Sequence, residues 1–404
     1  MSHVHHPDEG VGTEVRLPPA VRRALALALA PFILATIVGV VVLWPASSRP
    51  ATTGNQGPPP VLHDAKVVLL TPSSCNQGQR CYTAAILLTS GPERGHSGEL
   101  GDLVVGPGNP SLHVGDRIVV ADYVDPTDGV HNYSFTDFKR TGPLVWLVVL
   151  FVVLVIAVAR WRGLAAVAGL AITAGVLLRF VVPAILEGSS PVAVSLVGGA
   201  LIMIAVLYLA HGVNGRTTIA LLGTLGTLAL TAGLAAAFVA LTHLTGGASD
   251  EAIYVQVLSN KVNLSGLLLA GIIIGSLGVL NDVTVTQASA VWEIHLANPA
   301  RGIVALWRSG MRVGRDHIAS VVYTLVLAYA GASLPLLLIF STSHLAAGNL
   351  LTSEIVAEEM VRAMVGSIGL VASVPVTTAL AAFVVTRSGA AARGAEVPTL
   401  PAPA

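Results

Sequence analysis

From Leu264 to Leu280 the chain reads LSGLLLAGIIIGSLGVL without a charge, then passes straight into Asn281 and Asp282 with no turn residue between. As a helix that run is about 25 Å long, close to the thickness of a bilayer's hydrocarbon core. Lipid is its expected surrounding, and the polar series that follows needs partners. Continued as a helix, Asp282, Thr286, Ser289 and Glu293 recur at steps of four, three and four and share one face. Gly271, Gly275 and Gly278 form a small-residue seam on which another helix is expected to pack backbone to backbone. The segment is therefore expected inside a bundle, with a polar site where the apolar run ends. The plainer alternative has Asp282 and Glu293 capping a helix end in water, which avoids burying charge.

The pattern repeats along the chain. Hydrophobic residues make up 53% of it and charged residues 11%, against about a quarter charged in soluble domains, so a polytopic membrane protein is expected. Long apolar segments fall at 24–44, 144–159, 163–186, 192–210, 218–241, 264–280, 318–340 and 365–385. The fold class is mainly α: a transmembrane bundle of about eight spans. Segment 24–44 follows Arg16, Arg22 and Arg23 and is too long for a cleavable signal core, which makes it a signal anchor, with Pro31 as a kink or first turn. His3, His5 and His6 lack a second ligand cluster, so residues 1–23 read as a cytoplasmic tail and the choice of any metal stays open.

Between 45 and 142 the composition changes to Pro, Gly, Ser and Asp with short alternating runs. Strands are expected at 66–70, 82–88, 100–105 and 117–120, giving a small extracytoplasmic barrel or sandwich between spans one and two. Cys75 and Cys81 flank the turn-rich NQGQR; a disulfide there closes a short hairpin in an oxidising compartment, two free thiols being the alternative in a reducing one. Asp116, Asp122, Asp125 and Asp128 do not have the spacing of a calcium loop and are assigned to turns.

Charge gives the orientation. Arg22, Arg23, Arg160, Arg162, Arg216, Arg301, Arg308, Arg312, Arg315, Arg387 and Arg393 fall on one side of an eight-span arrangement, whereas the short loops of the other side carry only Lys261 and Arg362. That asymmetry puts both termini, including the tail 387–404, in the cytoplasm and 45–142 outside, with 143–386 as a seven-helix bundle. Residues 283–297 are apolar enough to be re-entrant, interfacial or cytoplasmic. Residues 299–317 read as an amphipathic helix on the inner leaflet or as a loop helix packed on other spans. Glu354, Glu358 and Glu359 suggest a solvated acidic helix on the outer surface.

The segments YLAHGVNGRTTIALLGTLG (208–226) and LLLAGIIIGSLGVLNDVTVTQASAVWEI (267–294) resemble the YibE/F-like family of prokaryotic membrane proteins. The resemblance runs from the first span through the eighth and includes an outer domain with two cysteines and a Val-Gly-Asp turn. It implies a multispan bacterial plasma-membrane protein of no established activity. In the family the sixth span ends in an Asp followed by a small polar helix and an acidic residue, matching Asp282 and Glu293; Asn281 stands where a more apolar residue is usual.

Two functions follow as expectations. The first is a transporter or channel-like protein for a small ion or solute, using Asp282, Thr286, Ser289 and Glu293 together with Asn281 and with His211 and Asn214 from the loop at the same level. Oxygen ligands favour a hard divalent ion. For His211 the plainer role is capping carbonyls at a helix end. The second is a scaffold or signalling protein whose outer domain binds an envelope partner, or a homo-oligomer held by the bundle. HExxH, GxSxG and P-loop motifs are absent from the sequence, and no basic patch points to nucleic acid, so neither an enzyme nor a cofactor is expected.

Overall fold

A computed structural model describes residues 17–46, 60–74, 80–104, 106, 108–124, 130–342, 348–349 and 352–395. The chain divides into two compact units, Asn55–Val158 and the remainder on either side of it.

In the first unit β1 (Val61–Ser74), β2 (Arg80–Leu88), β3 (Ser97–Val104), β4 (Arg117–Val124) and β5 (His131–Phe138) form one antiparallel sheet in the order β3-β2-β1-β4-β5. The fourth strand returns to pair with the first, which is a Greek key. The free edges of β3 and β5 approach each other. There the Tyr133 ring covers Gly98, and Tyr133 Oη donates to Glu93 Oε2 at 2.6 Å. The result is a partly open five-stranded barrel with OB-type connectivity. Alternate residues turn inward: Ala65 and Val67, Ala84, Ile86 and Leu88, and Ile118 and Val120 form its core.

Four strands lie where alternation places them, and β5 is an addition. Its HNYSFTDF carries polar residues between Tyr133, Phe135 and Phe138, and an extra residue, Thr136, interrupts the period where the register shifts between Val119 and Val120. Cys81 is buried in β2 and disulfide-bonded, while Cys75, Asp125 and Asp128 lie outside the described residues. Helix α2 (Thr141–Val176) begins in this unit and is broken at Arg160, where φ is 53° and ψ −127°. This break falls where the apolar run of the sequence divides.

The second unit is helical. It contains α1 (Pro19–Leu43), the end of α2 leading through a π-helical stretch (Leu177–Val181) into α3 (Val182–Leu186), then α4 (Pro191–His211), α5 (Gly215–Leu241), α6 (Asp250–Leu258) and α7 (Leu264–Ala297). After these come α8 (Ile303–Ala332), α9 (Leu334–Thr342) and α10 (Glu354–Ala395). Among the described residues six helices are long and apolar enough to cross a membrane, or seven if α8 and α9, bent by 63°, count as one.

Helix α7 is the hub, packing on α4, α5, α8 and α10. Asn263 caps its start, accepting from Gly266 N at 3.1 Å, and no break occurs at Asn281, so 283–297 simply continues the helix. Residues 303–317 likewise belong to the same helix as 318–332 and pack on α7 and α10, with Leu306 fully buried. Gly246, with φ of +77°, forms the turn after α5, where a Cβ would strike the Leu264 carbonyl.

Candidate functional site: a buried polar seam between four helices

Where α5, α7, α8 and α10 meet, the sequence places hydroxyls, one amide and glycines in the helix interior. Thr224 of α5 and Thr284 of α7 are fully buried, with their Oγ1 atoms 2.6 Å apart. Thr224, Thr227 and Thr231 follow one another on α5, each within 2.9 Å of a carbonyl one turn earlier, which satisfies the hydroxyl without a second helix. Opposite them on α10, Thr377 lies against Gly223 and Gly369 lies against Thr231. The Thr377 Oγ1 is buried without a hydrogen-bond partner.

Gln287 is the centre of the seam and is 2% exposed. Its Nε2 donates to the Gly310 carbonyl of α8 at 2.8 Å and to Thr378 Oγ1 of α10 at 2.6 Å. Both amide protons are thereby used, and three helices are tied at one point. Gly310 and Gly314 make room for this on α8, four residues apart: a Cβ at Gly314 would come within 3.0 Å of Gln287 Oε1.

Toward the start of α7 the seam becomes charged. Glu354, Glu358 and Arg362 recur at steps of four in the first turns of α10, so the acidic stretch is the opening of a membrane-type helix and not a separate surface helix. Glu354 accepts from Thr245 N and Oγ1, both at 2.6 Å. Glu358 is 8% exposed, and Glu358 Oε1 and Arg362 Nε are buried without hydrogen-bond partners. Arg362 Nη2 is 3.6 Å from Glu359 Oε1. The Arg362 guanidinium lies over Gly271, and the Tyr329 hydroxyl of α8 lies over Gly275.

A model of the YibE/F-like protein family matches residues 147–387, well over half of the chain. The chain belongs to the YibE/F-like family. The match begins after the barrel and covers α5, α7, α8 and most of α10. Neither the curated proteins nor the solved structures offer a match to it.

In this YibE/F-like chain Asp282, Thr286 and Glu293 share a face, as their spacing requires, but α7 turns that face away from the seam. The Asp282 and Glu293 side chains are 67% and 68% exposed. The expectation that they lie inside the bundle is corrected: Leu280, Thr284, Gln287 and Val291, on the next face round, take the interior because they meet the glycines of α8 and the hydroxyls of α5 and α10. Asp282 Oδ2 has His317 Nε2 of α8 at 4.0 Å, and Glu293 has Arg216 at 4.0 Å. Thr286 Oγ1 bonds the Asp282 carbonyl, Ser289 is half-buried, and Asn281 Oδ1 is buried without a partner.

Asn214 caps α5, accepting from Thr217 N at 2.9 Å and donating to the His211 carbonyl at 2.8 Å; this turn is separate from the seam. Gly271 and Gly275 shelter polar tips instead of another backbone, and Gly278 meets nothing within 4 Å. Close helix packing at glycines is found instead at Gly310 and Gly314, which receive the side chains of Gln287, Thr378 and Val374.

The barrel carries a second cluster. His131 lies between two carboxylates, with Nδ1 2.8 Å from Asp122 Oδ2 and Nε2 3.2 Å from Glu93 Oε1; Asp122 also faces His63 Nε2 at 3.6 Å. A neutral ring has one N–H and would turn a lone pair toward one carboxylate, so the geometry favours the imidazolium. The Asp122 hydrogen bond, with the nearby negative charges of Asp122 and Glu93, raises the His131 pKa above its ordinary value against the opposing effect of desolvation. Among the described residues no group of three His, Cys, Asp or Glu is arranged to hold a metal ion.

Proposed function

We propose that this is a multi-pass plasma-membrane protein that conducts or transports a small ion or solute along the α5–α7–α8–α10 seam. The observation that carries the reading is the column of polar groups from half-buried Arg362 and Tyr329 to fully buried Thr224, Thr284 and Gln287, in helices that are otherwise apolar. Intramembrane polar groups are costly, and facing a bundle interior is where they serve a pathway. On this reading Thr284 and Gln287 line the pathway, and Asp282, on the face of α7 turned away from the seam, lies outside it.

Counting the two pieces of α2 separately and α8 with α9 as one span gives eight crossings, and the Arg asymmetry puts both termini in the cytoplasm. The barrel is then extracytoplasmic. The chain moves a substrate and catalyses nothing.

Reconstituted vesicles test this against a panel of mono- and divalent cations and small solutes. Thr284→Val, which removes one seam hydroxyl at nearly constant volume, should abolish flux at unchanged membrane abundance; a panel giving no flux above empty vesicles would sink the reading. A scaffold role is the second reading, supported by a groove of about 90 Å³ on the barrel lined by Leu70, Tyr82, Leu103, Asn109 and Leu112. Deleting residues 51–141 separates the two: surviving flux makes the barrel accessory, whereas loss of a co-purifying envelope protein in a chain without flux favours the scaffold.

A further inference from the structure

A cleft of about 600 Å³ opens between α1, α5 and α10, away from the seam. Ala20, Ala24 and Ala28 recur at steps of four on α1 and form one wall, and Leu380 and Phe383 of α10 form another. Their short side chains leave a trough running along the helix axes. At its rim the Arg387 guanidinium stacks 4.4 Å from the centre of the Phe383 ring. Arg22 and Arg23 lie in the same turns of α1 as Ala20 and Ala24. Among the described residues none of these three arginines has a carboxylate within ion-pair reach.

An apolar trough lined at its rim by an arginine with no carboxylate in ion-pair reach among the described residues selects a molecule with a hydrocarbon tail and an anionic head. We propose that the cleft binds one acyl chain of an anionic glycerophospholipid and that Arg387, which lines it, receives the phosphodiester. The volume lies within the range of about 300–1,000 Å³ found for ligand sites. Basic pockets between membrane helices recognise anionic headgroups, and a guanidinium offers paired donors to phosphate oxygens. A zwitterionic lipid would bring its ammonium against the same guanidinium and bind less well. The proposal is independent of the transport reading, since it uses none of the seam residues.

Native mass spectrometry of the full-length, delipidated protein in detergent tests it by titration with phosphatidylglycerol, phosphatidylcholine and inorganic phosphate. Phosphatidylglycerol should bind preferentially, and Arg387→Gln should weaken it about fivefold, the effect of one cation at a membrane surface, with phosphatidylcholine unaffected. Ala24→Leu, which fills the trough, should weaken both lipids. Arg387→Lys, which keeps the charge but loses the paired donors, should retain more phosphatidylglycerol binding than Arg387→Gln, and that ordering shows that the loss in the Gln variant is not a folding defect. Equal binding of the two lipids, or an Arg387→Gln variant like the parent, overturns the proposal. Displacement by millimolar inorganic phosphate would assign Arg387 to free phosphate instead. A gain in lipid affinity on deleting residues 1–16 would make the chain's own tail the occupant, and the proposal would fall.

Discussion

The bundle and the barrel handle their polar groups in opposite ways. The bundle's central seam uses neutral groups, Thr224, Thr284, Gln287 and Thr378, each hydroxyl or amide bonded to a helix carbonyl or to another neutral group. The barrel uses charge: Glu93, His131 and Asp122 form a chain across its closing edge, and Lys139 pairs with Asp64. A hydroxyl that bonds its own helix carries little desolvation cost into lipid, whereas a carboxylate needs a counter-charge and is affordable where water is near. Unpartnered buried atoms occur in the bundle on both kinds of group, at Glu358 and Arg362 and at Thr377 and Asn281.

Four experiments break or sharpen the contrast. Ile86→Ala, in the fully buried barrel core, should destabilise that unit by about 2–5 kcal/mol and leave the helical signal of the bundle intact. Chemical denaturation followed by hydrogen exchange of the barrel strands and by far-ultraviolet circular dichroism of the helices tells the two units apart, and a joint loss would mean that they fold as one. Gly314→Val should cost about 1–3 kcal/mol, because its side chain must displace Val374 and Gln287; thermal unfolding in detergent measures it.

A double-mutant cycle on Gln287→Leu and Thr378→Val should return a coupling of about 0.6 kcal/mol, up to about 1.7 kcal/mol, as interhelical hydrogen bonds in membranes do. Zero coupling would remove Gln287 from the seam's framework.

The smallest effect is in pH. His131 has a raised folded-state pKa, so its contribution to barrel stability is complete below about pH 6.5 and is lost as pH rises through the raised value. Asp137, held below its ordinary value by the Arg140 hydrogen bond, acts in the opposite direction and only in acid, where stability falls below about pH 4. Hydrogen exchange of the barrel strands at pH 6 and 8 should show faster opening at pH 8, and His131→Asn should flatten the difference.

Much of this organisation was legible in the residues. The apolar runs mark the helices, the composition change at 45 marks the barrel, and the uncharged stretch before Asn281 marks the helix on which the others pack. The phase of α7 was not. Asp282 and Glu293 draw attention to their own face because charge is conspicuous, but the interior face is decided by the partners, and Gly310, Gly314 and Thr378 lie far along the chain. The local signal was Leu280, Thr284, Gln287 and Val291 at steps of four, three and four, two apolar residues bracketing an amide. β5 was hidden by its extra residue at Thr136, which breaks the alternation that reveals strands.

The contact of Gln287 with Gly310 and Thr378 also orders assembly in time. Its donors lie on α7, one acceptor comes with the next helix and the other only with the last, so during synthesis the amide waits half-mated in the membrane until residue 378 arrives. A chain truncated after α8 would present that unmatched N–H to its surroundings. Completion of the final helix is therefore the step at which the core becomes both sealed and fixed in register.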